Sequence, residues 1–157
     1  MNGTVDGIYY DVLIANDIKT KEEAIQHVAG YLQEKEYVND KYADATIKRE
    51  HVFPTGLNTN PIGIAVPHSE HENVIKPAVI MCICKAPIEF YTMENNKTKI
   101  DVGIIFLLAL KGENKHLNYL KNIVNYCKYE ENLEKLYHIE SKAEAYQIFM
   151  SKILNFA

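Results

Sequence analysis

The run Val102-Gly103-Ile104-Ile105-Phe106-Leu107-Leu108-Ala109-Leu110 restricts the possible folds more than any other stretch of the chain. No polar residue interrupts it, so neither face of a strand made from it would meet water. It is also only about half as long as a membrane-spanning helix must be. A strand buried on both faces satisfies both facts, and such strands occur in sheets covered by helices on either side. We therefore place a strand over 100–110. Val79-Ile80-Met81-Cys82-Ile83-Cys84, rich in β-branched residues and preceded by Pro77, predicts a second. Pro87-Ile88-Glu89-Phe90 reads as an edge segment, and Glu94-Asn95-Asn96-Lys97 as a turn. Ile8, Tyr10 and Leu13-Ile14 give a short first strand. Ile64-Ala65-Val66 gives another, which Pro67 should end because proline offers no N–H to a ladder.

Helical patterns alternate with these strands. Thr20-Lys21-Glu22-Glu23 is a capping box, followed at helical spacing by Ile25, Val28 and Leu32, with Ala24 and Tyr31 alongside and His27 solvated. Asn39 is placed to cap a second helix through Tyr42, Ala43, Thr46 and Ile47, ending near Arg49-Glu50. Pro54 and Gly56 impose a turn, and Asn58-Thr59-Asn60-Pro61 is loop composition. Asn114 is placed to cap a helix with Leu117, Leu120, Val124 and Cys127 on one stripe. Leu133 and Leu136 mark a shorter helix. Ser141-Lys142-Ala143-Glu144 opens a terminal one with Ala145, Ile148, Phe149 and Ile153 inward. Alternation without a linker or repeat, over 157 residues, predicts a single α/β domain around one sheet.

A net charge of −4 argues against nucleic acid, which selects Lys and Arg clusters. The opening Met1-Asn2-Gly3-Thr4-Val5-Asp6 lacks the basic-then-apolar pattern of a secretory signal, so the expected compartment is the cytoplasm. Cys82, Cys84 and Cys127 form no disulfide framework: the count is odd, and the first two point to one face of a strand, too close for a bridge. Buried packing is their expected role.

Gly63-Ile64-Ala65-Val66-Pro67-His68 passes from buried chain to the polar Ser69-Glu70-His71-Glu72, which places an imidazole at the lip of a strand. His116 opens a helix after the long buried strand, and Arg49 ends one shortly before. If both strand ends lie on one side of the sheet, His68 and His116 meet beyond it, where helix N-termini offer positive potential suited to anions. A histidine nucleophile, a second histidine and an arginine fork then suit receipt of a phosphoryl group. Each part also has an ordinary role: Arg49 paired with Glu50 or Asp44, Thr55 completing a turn, His116 solvated at a helix end. Spacing alone favours the ordinary roles.

Arg49-Glu50, Phe53-Pro54-Thr55-Gly56-Leu57 and Gly63-Ile64-Ala65-Val66-Pro67-His68 together resemble the signature of the mannitol/fructose-class enzyme IIA domains of the bacterial phosphoenolpyruvate-dependent sugar phosphotransferase system. The Phe-Pro-Thr-Gly run and the acidic Glu70 after Pro-His most resemble the galactitol-type branch. The resemblance spans nearly the whole chain and implies one phosphocarrier domain over 1–157, a mixed β-sheet flanked by helices. It implies that His68 accepts a phosphoryl group from the histidine-containing phosphocarrier protein and passes it to a IIB cysteine, serving a membrane IIC component indirectly. Arg49, the Thr55 hydroxyl, His116 and backbone N–H groups are the implied stabilisers of phosphate oxygens, with no metal or organic cofactor. His51, His71 and His138 match no family position. A regulatory module of the same fold, its binding set by phosphorylation of His68, is the alternative. A metal hydrolase built on His68, His71 and His116 would lack a carboxylate-rich ligand set.

Overall fold

A computed structural model describes residues 2–112 and 115–156. Its core is a six-stranded sheet in the order β1-β2-β5-β6-β4-β3: β1 Asn2–Val5, β2 Ile8–Ala15, β3 Gly56–Leu57, β4 Gly63–Ala65, β5 Ala78–Tyr91 and β6 Lys99–Ala109. The sheet is mixed, with β2 parallel to β5 and β4 parallel to β6, while β1/β2, β5/β6 and β3/β4 run antiparallel. Every residue from Val102 to Leu110 is buried, Gly103 included, as the apolar run demanded. The helices are α1 Lys21–Glu34, α2 Tyr42–Val52, α3 Lys115–Cys127, α4 Glu130–Tyr137 and α5 Lys142–Ile148, and α5 runs on into a π-helical turn, Phe149–Ile153.

Strand alternation divides the core in two. Ile80, Cys82 and Cys84 of β5 pack with Val28 and Leu32 of α1 and Tyr42 of α2. Val79, Met81 and Ile83 face Ile123 and Cys127 of α3, Leu133 and Leu136 of α4, and Phe149 and Ile153. Cys82 and Cys84 lie on one face with sulfurs 4.0 Å apart, both fully buried and free, like Cys127.

The local signals hold where they are local. Thr20 Oγ1 accepts from the Glu23 N–H at 3.1 Å and Ser141 Oγ from the Glu144 N–H at 3.2 Å, although the Glu23 carboxylate reaches the N–H of Lys19 rather than that of Thr20. Several expectations are corrected. The segment 87–90 is no separate edge piece: it continues β5, pairing Ile88 with Val102 across a register shift after Ile83. The carbonyls of Cys84 and Lys85 in that shift share the Tyr137 hydroxyl, whose ring packs so closely on Gly103 that a Cβ there would lie 2.5 Å away. Asn39 turns the chain before α2 instead of capping it, its Oδ1 accepting from the Lys41 N–H. Leu120 and Cys127 lie on the inner stripe of α3 as expected, joined by Ile123 and Tyr119, but Leu117 points outward at 64% exposure and Val124 stands outside the core cluster. Strand β1 was not foreseen, and the Asn114 cap lies outside the described residues.

Candidate active site

Parallel pairing of β4 with β6 places their carboxyl ends at the same edge of the sheet, which is what brings the two histidines together. Pro67 does not end the pairing as expected. It lacks an N–H, yet its carbonyl accepts from the Leu108 N–H at 3.1 Å, and the ladder reaches a last bridge between His68 and Leu108. The His68 and His116 rings stand 4.6 Å apart between centroids at an interplanar angle of 34°. With Arg49, Ser69, Glu70, His71, Leu110 and Gly112 they line an open pocket of about 340 Å³.

The protonation of His68 follows from its contacts. Its Nδ1 lies 2.9 Å from the Val66 carbonyl oxygen, which can only accept, so Nδ1 carries the hydrogen and Nε2 the lone pair. Burial lowers the His68 pKa below its ordinary value, opposed by the Val66 bond and assisted by the Arg49 charge. The ring is thus neutral and nucleophilic at neutral pH. Burial, with the charges of His68 and Arg49 adding to it, takes His116 down to about 4. Among the described residues its buried Nε2 has no hydrogen-bond partner, and neither has the buried Nε of Arg49.

Arg49 pairs with neither Glu50 nor Asp44. Its Nη1 lies 3.3 Å from Glu70 Oε1, and its guanidinium sits over the Phe53 ring at 5.2 Å. Thr55 is the one implied site residue that the structure moves away from the pocket. It is 4% exposed, its hydroxyl donates to Glu50 Oε1 at 2.8 Å and accepts from the Val66 N–H at 3.0 Å, so no donor is left for a phosphate oxygen. His51, set aside at the sequence level, pairs with Glu22 at 2.6 Å. Among the described residues no three His, Cys, Asp or Glu side chains are placed to hold a metal ion.

Two residues were given no part in the site's chemistry by sequence reasoning. Glu70 supplies the anion on Arg49. Glu50, 3% exposed, accepts the Thr55 N–H as well as its hydroxyl. Burial raises its carboxyl to about 7, against the pull of both Thr55 bonds and of the Lys21 and His51 charges. A signal for Glu50 was present: Tyr42, Thr46 and Glu50 recur every fourth residue and form the buried stripe of α2. That stripe grips the strand ends below His68 at each turn. Tyr42 donates to the Leu108 carbonyl at 3.3 Å and Thr46 to the Ser69 hydroxyl at 2.9 Å, while Glu50 holds Thr55.

Residues 10–152 match the family "Phosphoenolpyruvate-dependent sugar phosphotransferase system, EIIA 2". The chain is 30% identical over 136 residues to the mannitol-specific phosphotransferase enzyme IIA component of Halalkalibacterium halodurans, covering 85% of this chain and 86% of that protein. It is 27% identical over 145 residues to the mannitol-specific EIICBA component of Escherichia coli, matching 90% of this chain but only 22% of that much longer protein. Its fold superposes with a TM-score of 0.74 and 25% identity on an NMR structure of the complex of enzyme IIAMTL and phosphorylated enzyme IIBMTL from Escherichia coli, over 90% of this chain and 95% of that one. The chain belongs to the EIIA 2 family of the phosphoenolpyruvate-dependent sugar phosphotransferase system.

Proposed function

We propose that this enzyme IIA domain carries a phosphoryl group on His68 Nε2, between the histidine-containing phosphocarrier protein and the cysteine of a IIB component. The whole of residues 1–157 acts as one carrier domain in the cytoplasm, feeding a membrane IIC component indirectly. The cargo is a sugar alcohol: mannitol is named in the relatives described above, while the Phe53-Pro54-Thr55-Gly56 run suggests the galactitol branch. The observation that carries the reading is the Nδ1 bond to the Val66 carbonyl, which leaves the lone pair on Nε2 of a neutral ring.

In the transfer, the Nε2 lone pair forms a bond to phosphorus as the donor's nitrogen–phosphorus bond breaks, and the electron pair leaves with the donor imidazole. In the onward step the partner's thiolate attacks phosphorus, and His68 leaves as the neutral ring. Such transition states are loose, so the protein mainly positions groups and offsets oxygen charge. Arg49 is the first candidate, because its Nε is unpartnered and its bond to Glu70 is exchangeable. An ion pair with one partner as exposed as Glu70 is worth about 0–1 kcal/mol, far less than a desolvated arginine–phosphate contact of roughly 1.5–3 kcal/mol. Phosphate oxygens therefore displace Glu70. His116, with its unpartnered Nε2 beside the acceptor ring, is the second candidate.

Incubation with phosphoenolpyruvate and the general phosphotransfer proteins, followed by intact-mass measurement, tests the reading. The wild-type chain gains one acid-labile phosphoryl group and His68→Ala gains none. Stoichiometric labelling of His68→Ala would move the acceptor elsewhere.

A further inference from the structure

Four contacts form an unbroken chain from a residue outside the pocket to the acceptor ring. Glu50 Oε2 accepts from the Thr55 N–H at 2.8 Å, and Glu50 Oε1 from the Thr55 hydroxyl at 2.8 Å. The same hydroxyl oxygen accepts from the Val66 N–H at 3.0 Å, and the Val66 carbonyl accepts from His68 Nδ1 at 2.9 Å. Glu50, Thr55 and Val66 are all almost wholly buried, so water does not substitute for a lost partner in this chain.

We propose that Glu50 is a positioning residue for phosphoryl transfer: through Thr55 and Val66 it fixes the tautomer of His68 that exposes Nε2 as the nucleophile. This rests on the reading of His68 as the phosphoryl acceptor. The direction of each bond gives the argument. A hydroxyl has one hydrogen to donate, and the Glu50 carboxyl, raised by burial to about 7, can only accept once it is ionised above that pH. Because Glu50 takes the Thr55 hydrogen, the hydroxyl oxygen turns its lone pairs to the Val66 N–H. With that N–H anchored, Val66 is held between two fixed peptide units, one bonded to Thr55 and the other leading into Pro67, which keeps the residue before it extended. The carbonyl of Val66 then stays on Nδ1, and the imidazole hydrogen stays with it. A buried carboxyl facing a threonine is not demanded by stability here. A buried apolar pair would fill the same space without the cost of a buried charge, so the polar chain answers a need of the ring it supports.

Glu50→Gln tests the direction of the relay. A glutamine oxygen still accepts the Thr55 N–H, but its amide N–H₂ now donates toward the hydroxyl. That oxygen would then receive two donors, and its own hydrogen would lose its acceptor. Thr55→Val removes the hydroxyl in nearly the same volume, whereas Thr55→Ser keeps it. Imidazole ¹⁵N correlation spectra of the unphosphorylated proteins should show His68 protonated on Nδ1 in wild type and Thr55→Ser. In Glu50→Gln and Thr55→Val a measurable fraction should be protonated on Nε2. Below their melting temperatures the same two variants should take up phosphoryl groups at least about tenfold more slowly, and Thr55→Ser within about threefold of wild type. Wild-type tautomer and rate in both Glu50→Gln and Thr55→Val, with only the melting temperature lowered, would overturn the proposal. If the wild-type protein itself takes up no phosphoryl group, it is the carrier function that fails. The ¹⁵N spectra then still decide whether Glu50 sets the tautomer.

Discussion

Phosphorylation of His68 should raise the pKa of His116, and the size of the rise follows from their separation. Unmodified, His116 is held at about 4 by burial, by the positive charge His68 gains when it is protonated at low pH, and by Arg49. Its ring lies 4.6 Å from that of His68, so a phosphoryl group on His68 brings negative charge within about 5 Å. Taking one net negative unit after Arg49 offsets part of the dianion, and an effective dielectric of about 20, the attraction is about 3 kcal/mol. That equals about two pKa units, which moves His116 from about 4 to about 6. The sign of the coupling is then fixed. Between those two values His116 holds a proton in the phosphorylated protein that it lacks in the free one, so its share of the coupling favours the phosphorylated form as the pH falls from 7 to 5. Titration of ¹⁵N-labelled imidazoles by NMR, with and without the phosphoryl group, reads the shift directly. In His116→Gln the phosphorylation equilibrium should lose this share of its pH dependence. A His116 that titrates near 4 in both forms would refute the reasoning and leave the ring a neutral spacer.

Arg49→Ala should slow phosphoryl uptake by about ten- to a hundredfold, the range expected from losing a charge-assisted contact of roughly 1.5–3 kcal/mol, while leaving the melting temperature nearly unchanged. A wild-type rate with a lowered melting temperature would make Arg49 a structural residue. Glu70→Gln removes the anion that competes for Arg49 and should raise the rate of uptake by about two- to fivefold, consistent with the modest worth of an exposed pair. A slower Glu70→Gln protein would mean that Glu70 assists transfer instead of occupying the phosphate's place.

How much of this was legible in the sequence depended on the range of the interaction. The Val102–Leu110 strand and the hydroxyl caps of Thr20 and Ser141 are set by neighbours in sequence, and each appears where its pattern placed it, whereas pairing runs past Pro67 to His68. The meeting of His68 with His116 needed one further fact, the parallel pairing of β4 and β6, which no local pattern contains. The register shift in β5 was hidden for a similar reason: it is held by Tyr137, far along the chain, packing where Gly103 has no side chain. Thr55 shows the limit most clearly. The resemblance put its hydroxyl on a phosphate oxygen, but the direction of that hydroxyl is decided by the buried carboxylate of Glu50. Glu50 shares the fourfold spacing of Tyr42 and Thr46, yet a glutamate on such a stripe reads as a solvated helix end until the tertiary contact is seen.

The ladder between β4 and β6 continues to the His68–Leu108 bridge, so the acceptor histidine is anchored to the sheet itself. Its partner ring, His116, stands on helix α3, so the 4.6 Å between the two rings joins a strand end to a helix. The backbone beneath the acceptor is stiff, and the bond from Nδ1 to the Val66 carbonyl holds the ring over it. Donor and acceptor must therefore bring their own reacting atoms to one fixed point in turn, and the accommodation at each encounter falls to the visitor.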